Sequence, residues 1–268
     1  MSTQNRNTIK SILKLKQDGI PISMLTAYDY TFASIIDASE IDIILVGDSV
    51  SNVFSGNETT IPVTLNEMIY HAKAVMKAVQ NALVVVDMPF GSYQISIEKA
   101  LENAIELFKT TGVQAIKLEG GKEIAETIKK IVDAGIPVMG HLGLTPQSIH
   151  QLGSYEIQAK SAEAQQQLLE NAICLQDAGC FSLVLEKVPA TISRKIAEKL
   201  SIPVLGIGAG NGCDGQVLVM HDLLGLNPDF NPKFVRKYVN LNSIVSEAVK
   251  KYNEDVKSKD FPNDKESY

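Results

Sequence analysis

Four short apolar runs in this chain each end in a carboxylate. Residues 41–49 read Ile-Asp-Ile-Ile-Leu-Val-Gly-Asp-Ser and reach Asp48, Leu83–Asp87 ends at Asp87, Ala115–Glu119 ends at Glu119, and residues 181–186 end at Glu186. Runs apolar on both faces suit a parallel sheet covered by helices, and ligands gather at the carboxyl ends of such strands. Neighbouring strands lie about 4.8 Å apart, so the tips carrying Asp48, Asp87 and Glu119 would meet in one cluster. Three unpaired carboxylates there would repel. An oxygen-rich cluster with room for water suits Mg2+, and few imidazoles or thiolates are at hand for zinc. Taken singly, each acid has a competing reading as the cap of the helix that follows.

Period-two alternation turns Lys117 to the same side as Glu119, into the interior. A buried ammonium is costly unless paired, so Lys117 either neutralises one of the carboxylates or meets an anionic ligand. Glu186 should stand across the mouth, too far to share the same ion but placed as a general base toward a substrate held there. The alternative is a salt bridge to Lys187 or a cap for the helix near Pro189. His141 also ends a strand, where it could support the site, hydrogen-bond a substrate, or be a satisfied polar residue under a loop. His71, on a helix face with Met68 and Val75, reads as structural. Gly206, Gly208, Gly210 and Gly212 lack the context of a dinucleotide-binding turn, although a backbone anion-binding role stays open for the late loops of a barrel.

Positioning these residues takes eight strands alternating with helices, at 22–27, 41–48, 83–87, 115–119, 138–141, 181–186, 203–207 and 217–219. A lead-in helix is expected over 8–17, and helices follow to Ala38 (capped by Asp29 or Thr31), from the Thr64/Glu67 capping box to Val79, and over 97–111, 122–134 and 162–178, with another from near Pro189. Eight such units in 268 residues favour an α/β fold closed as a single-domain (β/α)8 TIM barrel over an open sheet. Residues 50–63, and the stretch after His141 to Lys160, are long connections and candidate covers of the site. Beyond Asp222 the pattern gives C-terminal helices, one over 234–252, and a charged tail over 254–268 expected to be mobile.

Composition narrows the partners. Hydrophobic residues make up 45% of the chain, enough for a large core, yet no run approaches the roughly 18 apolar residues of a membrane span. A net charge of −6 offers nothing to nucleic acid or an acidic membrane. Three cysteines without metal spacing read as reduced fillers, and the start of the chain lacks the apolar segment of a secretory signal, so the cytoplasm is expected. The ligand should be small.

The chain resembles the ketopantoate hydroxymethyltransferase family along nearly its whole length. The resemblance rests on Thr26-Ala-Tyr-Asp-Tyr30, Val46-Gly-Asp-Ser49, Ile61-Pro-Val-Thr64, Asp87-Met-Pro-Phe90, Lys117-Leu-Glu-Gly-Gly121, Gly140-His-Leu-Gly-Leu-Thr-Pro-Gln-Ser148, Leu185-Glu186, Gly206-Ile-Gly-Ala-Gly-Asn211 and Met220-His-Asp222. It implies a (β/α)8 barrel, Mg2+ near Asp48, Asp87 and Glu119, and keto acid contacts from Asp48, Ser49, Asp87 and Lys117. It also implies Glu186 as proton acceptor, 3-methyl-2-oxobutanoate and 5,10-methylenetetrahydrofolate as substrates, and a homo-oligomer, the homodecamer common in the family. A Mg2+-dependent lyase or mutase of another 2-oxo acid is the competing enzyme. Two departures stand out. Gly153-Ser-Tyr-Glu-Ile-Gln-Ala159 replaces the usual Gly-Gly-x-Lys-Val-Gln-Gly, and Ser51 stands where glycine is common.

Overall fold

Alternate side chains of a strand share a face, so the inward set of each strand can be apolar low down and polar at its end. The structure is a computed structural model describing residues 6–268. Eight parallel strands close into a barrel in sequence order, with the first pairing to the eighth. They are β1 Ile22–Thr26, β2 Ile43–Val46, β3 Leu83–Asp87, β4 Ala115–Glu119, β5 Val138–Gly143, β6 Ser182–Glu186, β7 Val204–Ile207 and β8 Gly215–Leu218. Among and before them run α1 Ile9–Gln17, α2 Tyr30–Ala38, α3 Val50–Val53, α4 Leu65–Ala78, α5 Ile97–Thr111, α6 Ala125–Asp133, α7 Ile149–Leu152, α8 Ala162–Asp177 and α9 Ala190–Lys199. The fold is the (β/α)8 barrel expected from the sequence.

Ile22, Met24, Ile43, Leu45, Leu83, Val85, Ala115, Met139, Val184, Leu205 and Val217 fill the lower interior, and Ile12 of α1 packs into the same cluster. Burying a side chain of that size is worth roughly 1.5–3 kcal/mol. A polar residue at position 12 would therefore unseat the helix that plugs this end. Continued toward the strand ends, the same parity puts Asp87 above Val85, Lys117 and Glu119 above Ala115, His141 above Met139 and Glu186 above Val184. The lower layers hold the barrel together while the top layer gathers polar groups.

Helix starts follow local chemistry. Thr64 and Glu67 form the expected capping box, and the Phe32 amide donates to Asp29 Oδ1 at 2.9 Å, which makes Asp29 rather than Thr31 the cap of α2. Gly112, at φ 74°, stops α5. Other expectations need correction. The helix expected over 122–134 opens with a 3-10 turn, Lys122–Ile124, before α6. Residues 50–63 are not a loop throughout, because Val50–Val53 winds into one helical turn and Ser51, fully buried, donates from Oγ to Thr59 O at 2.8 Å and accepts from Asn57 Nδ2 at 3.1 Å. The segment after β5 is also partly helical, with a 3-10 turn at Pro146–Ser148 leading into α7.

Residues after Val219 form a second compact unit, Met220–Tyr268. It contains α10 Met220–Leu223 and α11 Leu241–Ser258. The helix expected at 234 begins later because Asn240 supplies the cap, accepting from Ser243 N at 3.2 Å, while Val235 N is turned back onto Pro232 O at 3.0 Å. It also runs through residues 254–258, part of the stretch expected as a tail. Beyond it the chain folds back: Asp260 N donates to Asp255 O at 2.9 Å, and the Phe261 ring meets Tyr252 edge-on at 5.7 Å. Among the described residues no helix is long and apolar enough to cross a membrane. Cys174, Cys180 and Cys213 are free thiols, and burial pushes the Cys180 thiol up to about 12.

Candidate active site

Strand register does most of the positioning. Asp87 lies opposite Lys117, Glu119 opposite His141, and Glu186 opposite Gly143 in successive ladders. Lys117 Nζ is consequently 2.8 Å from Asp87 Oδ1 and 3.8 Å from Glu119 Oε1. His141 bridges the next pair, with Nδ1 at 3.2 Å from Glu119 Oε1 and Nε2 at 3.4 Å from Glu186 Oε2. Asp48, Asp87, Lys117, Glu119 and His141 are at most 6% exposed. The Glu186 side chain keeps 16%, which leaves it the acid most open to a ligand.

Asp48 reaches the cluster by a turn. Its parity is that of the outward residues Ile44 and Val46, but the chain bends at Gly47, where a Cβ would lie 2.8 Å from Ser49 Oγ. Past that glycine the Asp48 amide donates to Asp87 Oδ2 at 3.0 Å, and Ser49 Oγ sits 2.8 Å from the Tyr28 hydroxyl. His71 is buried with Nδ1 2.7 Å from Tyr28 O, a structural place as its helix pattern indicated. Gly143 has a similar use on the opposite wall. At φ 92° a Cβ there would stand 2.2 Å from Glu186 O, and its absence lets Leu144 N donate to that oxygen at 2.8 Å.

Sequence reasoning did not single out Gln147, Tyr93 or Tyr28. Gln147 is 4% exposed and joins three walls. Its amide Nε2 donates to Asp48 Oδ2 and Met88 O, both at 2.9 Å, and its backbone N donates to Glu119 Oε2 at 3.0 Å. On the other end of the side chain, Oε1 accepts from the Tyr93 hydroxyl at 2.7 Å and from Gln94 Nε2 at 3.3 Å. Acceptors on one side and donors on the other fix the orientation of the amide. Only the motif Gly140–Ser148 hinted at Gln147, as one member of a long matching stretch.

The charges are unequal. Burial, then the neighbouring Asp87 and Glu119, hold the Asp48 carboxyl well above the usual carboxylate range. Burial also raises Asp87, against the pull of Lys117. Glu119 is buried too, yet His141, Lys117 and the Gln147 amide outweigh that and keep it low. Burial and Lys117 push His141 down, but Glu119 and Glu186 on either side raise it to about 9. The Lys117 ammonium, despite burial, is held charged by Asp87, Glu119 and Asp48. Lys117 and His141 thus bring two positive charges to the cluster at neutral pH.

A hard cation suits this donor set. Among the described residues no three acids, imidazoles or thiols form a ready-made cage, because Lys117 stands near both Asp87 and Glu119 and because His141 and Gln147 engage Glu119. Among the described residues Gln147 is the side-chain donor bonded to Asp48, at its Oδ2, while Asp87 Oδ1 faces Lys117 and Glu119 Oε1 faces His141. A cation entering here would meet carboxylate oxygens of Asp48 and of Asp87, the latter shared with Lys117, and hard oxygen donors of this kind suit Mg2+.

The raised His141 has a measurable consequence. A folded-state value near 9 against about 6.5 unfolded means that its stabilisation is full below about pH 6.5 and is lost as pH rises through 9, an effect on the order of 3 kcal/mol. Urea unfolding of the chelator-treated protein should show a decline over that window that His141→Gln removes. A decline of equal size in the variant would assign it to another group.

The departing segment 153–160 covers the neighbourhood of Glu186. Lys187, in the left-handed region at φ 46°, donates from Nζ to Tyr155 O at 2.8 Å, lies 5.6 Å from the centre of the Tyr155 ring, and accepts at its carbonyl from Gln158 N at 2.8 Å. Glu156 pairs with Lys160 at 2.7 Å on the exposed side. Ala159 also has a positive φ, 53°, at the position where the family pattern has glycine. Such a conformation costs a residue with a Cβ about 1 kcal/mol or more, and part of the relief is offset by the larger unfolded-state freedom of glycine. Ala159→Gly is expected to raise stability by roughly 0.5 kcal/mol in a urea titration; destabilisation would show that packing of the methyl group outweighs the strain.

A separate cleft of about 630 Å³ is lined by Asp37, Gln80 and Asn81 beside the start of β2 and β3, and contains none of the strand-end residues. The Asp37 carboxylate in it is already occupied by the amides of Gln80, Asn81 and Ala82 at 2.8–3.2 Å.

Comparison with known proteins identifies the family. The sequence profile described as ketopantoate hydroxymethyltransferase matches residues 6–264. A Flavobacterium johnsoniae protein named 3-methyl-2-oxobutanoate hydroxymethyltransferase is 57% identical over 263 residues, 98% of this chain and 97% of the relative. One of the same name from Chlorobium phaeobacteroides is 55% identical, with both chains fully covered. Among solved structures, 2,3-dimethylmalate lyase, a PEP mutase/isocitrate lyase superfamily member, superposes with a TM-score of 0.64 at 15% identity, covering 94% of this chain and 86% of that one. Phosphonopyruvate hydrolase, solved with oxalate and Mg++, gives 0.62 at 10% identity, covering 97% and 93%. At those identities the solved structures speak to the fold alone.

Proposed function

The chain belongs to the ketopantoate hydroxymethyltransferase family, and from that premise we propose that the polar mouth of the barrel converts 3-methyl-2-oxobutanoate to 2-dehydropantoate, with 5,10-methylenetetrahydrofolate as the one-carbon donor. The observation that carries this reading is the joining of Asp48, Asp87, Lys117, Glu119, His141 and Glu186 in one buried cluster with a single more open carboxylate. Asp48 and Asp87 would hold Mg2+, with Glu119 beside them. When bound, the ion supplies Lewis-acid polarisation of the keto group, which acidifies the adjacent C3–H.

The chain's own residues do the rest. Asp48, Ser49, Asp87 and Lys117 contact the keto acid, with the Ser49 hydroxyl held by Tyr28 and the Lys117 ammonium placed to stabilise negative charge developing on the keto oxygen. Glu186 takes the C3 proton. His141, charged at neutral pH, holds Glu186 from behind and ties it to Glu119. The C3 carbanion equivalent then forms the new carbon–carbon bond to the one-carbon unit, both of whose C–N bonds break; water supplies the hydroxyl, and its remaining proton and the one taken from C3 leave on the two nitrogens of tetrahydrofolate. The rival reading, a lyase or mutase of another 2-oxo acid, has only fold-level likeness in its favour.

The same reading carries a homo-oligomer, the decamer usual for the family, and a cytoplasmic location; light scattering should give a mass far above the 29.1 kDa chain. The reaction is tested by incubating the protein with 3-methyl-2-oxobutanoate, Mg2+ and methylenetetrahydrofolate and identifying the product by mass. Consumption of the keto acid without folate, or cleavage products in place of 2-dehydropantoate, would favour the lyase.

A further inference from the structure

The bonds around Gln147 show one carboxylate oxygen of Asp48 already in use. Its Oδ2 accepts from Gln147 Nε2 at 2.9 Å, the same nitrogen donates to Met88 O at 2.9 Å, and the Tyr93 hydroxyl, 2.7 Å from Gln147 Oε1, keeps the amide from turning over. The backbone of Gln147 meanwhile donates to Glu119 Oε2 at 3.0 Å, so a shift of this residue is felt on both sides of the mouth. A charge-assisted hydrogen bond draws density from the oxygen that accepts it and resists rotation of the carboxylate. Asp48 is left with Oδ1 as its better donor.

We propose that Gln147 is a positioning residue that makes Asp48 a one-oxygen ligand and thereby selects a small six-coordinate cation over a large one. Mg2+ requires near-octahedral geometry with one oxygen from each carboxylate, whereas Ca2+ takes six to eight oxygens and readily accepts both oxygens of one carboxylate. With Oδ2 engaged, the two-oxygen mode that favours Ca2+ is opposed, while the mode that suits Mg2+ costs nothing further. The inference rests on the divalent-cation reading of the site given above, and concerns which ion is admitted and not whether one binds.

The test is calorimetric titration of the full-length protein with MgCl2 and separately with CaCl2, without substrate, so that it does not depend on turnover. Gln147→Met keeps the length of the side chain and removes both its donor and its acceptor. The expected result is a change in the Mg2+/Ca2+ affinity ratio toward Ca2+ by about tenfold or more, the scale of one hydrogen bond to a charged group. Tyr93→Phe leaves the amide in place but holds its Oε1 through the longer bond from Gln94 Nε2 alone, and should move the ratio in the same direction by a smaller factor. A merely structural role would weaken both ions alike. If Gln147→Met fails to fold, Tyr93→Phe decides alone. An unchanged ratio in the folded variants overturns the inference while leaving the cation site intact; failure of the parent to bind either ion overturns the cation reading and the inference with it.

Discussion

In heavy water and without folate, the parent protein with Mg2+ should exchange the C3 hydrogen of 3-methyl-2-oxobutanoate for deuterium, and Glu186→Gln should exchange it at least about 10²-fold more slowly. General-base removal typically costs roughly 10²–10⁴ in rate, and this half-reaction isolates proton removal from carbon–carbon bond formation. Among the acids of the cluster Glu186 is the one whose side chain keeps 16% exposure, whereas Asp87 and Glu119 are turned toward Lys117 and His141. Glutamine keeps the shape and leaves keto acid binding nearly unchanged, so the loss should fall on the chemical step. NMR of the C3 position reports it directly. Exchange at the parent rate would exclude Glu186 as the base.

Asp87→Asn should weaken Mg2+ binding in the presence of keto acid by at least about 10²-fold, above the 10–100-fold cost usual for residues that only support a ligand. It should also lower stability, because Lys117 loses its ionised partner at 2.8 Å and keeps Glu119 at 3.8 Å with a contact to His141 Nδ1 at 3.2 Å. Leaving one member of a buried pair uncompensated costs roughly 3–5 kcal/mol. The two effects are separable by adding Lys117→Met. The double variant should regain much of the stability, since no charge is then stranded, while Mg2+ binding stays weak. Calorimetry and urea unfolding on the three variants give both readings; unaltered Mg2+ affinity in Asp87→Asn would remove the ion from this cluster.

Much of the site could be read from the chain because alternation is a local signal. Lys117 and Glu119 are two residues apart on one strand, and Asp87, His141 and Glu186 each sit at the same parity above an apolar residue, so neighbouring strands had to bring them together. The sequence puts Asp48 at a strand tip, whereas β2 ends at Val46 and Asp48 enters the mouth through the turn after Gly47; alternation alone would turn it outward. Gln147 and Tyr93 left no comparable trace. They lie on connections, where spacing carries no direction, and the bond from Gln147 to Asp48 spans 99 positions. The start of α11 was misplaced for a related reason: Phe234 and Val235 continue an apolar pattern, but the bonding capacity of Asn240 sets where the helix begins.

Closure of the barrel also has a cost in time during synthesis. β1 pairs on one side with β2 and on the other with β8, from Ile22 opposite Gly215 to Leu25 opposite Leu218. At the 5–20 residues per second of translation, the stretch between these two strands takes roughly 10–40 s to make. Throughout that interval β1 has one edge without its final partner, and an open strand edge is a template for pairing with other chains. On the ribosome the last four residues of the barrel, Gly215–Leu218, therefore decide when the nascent chain stops being adhesive.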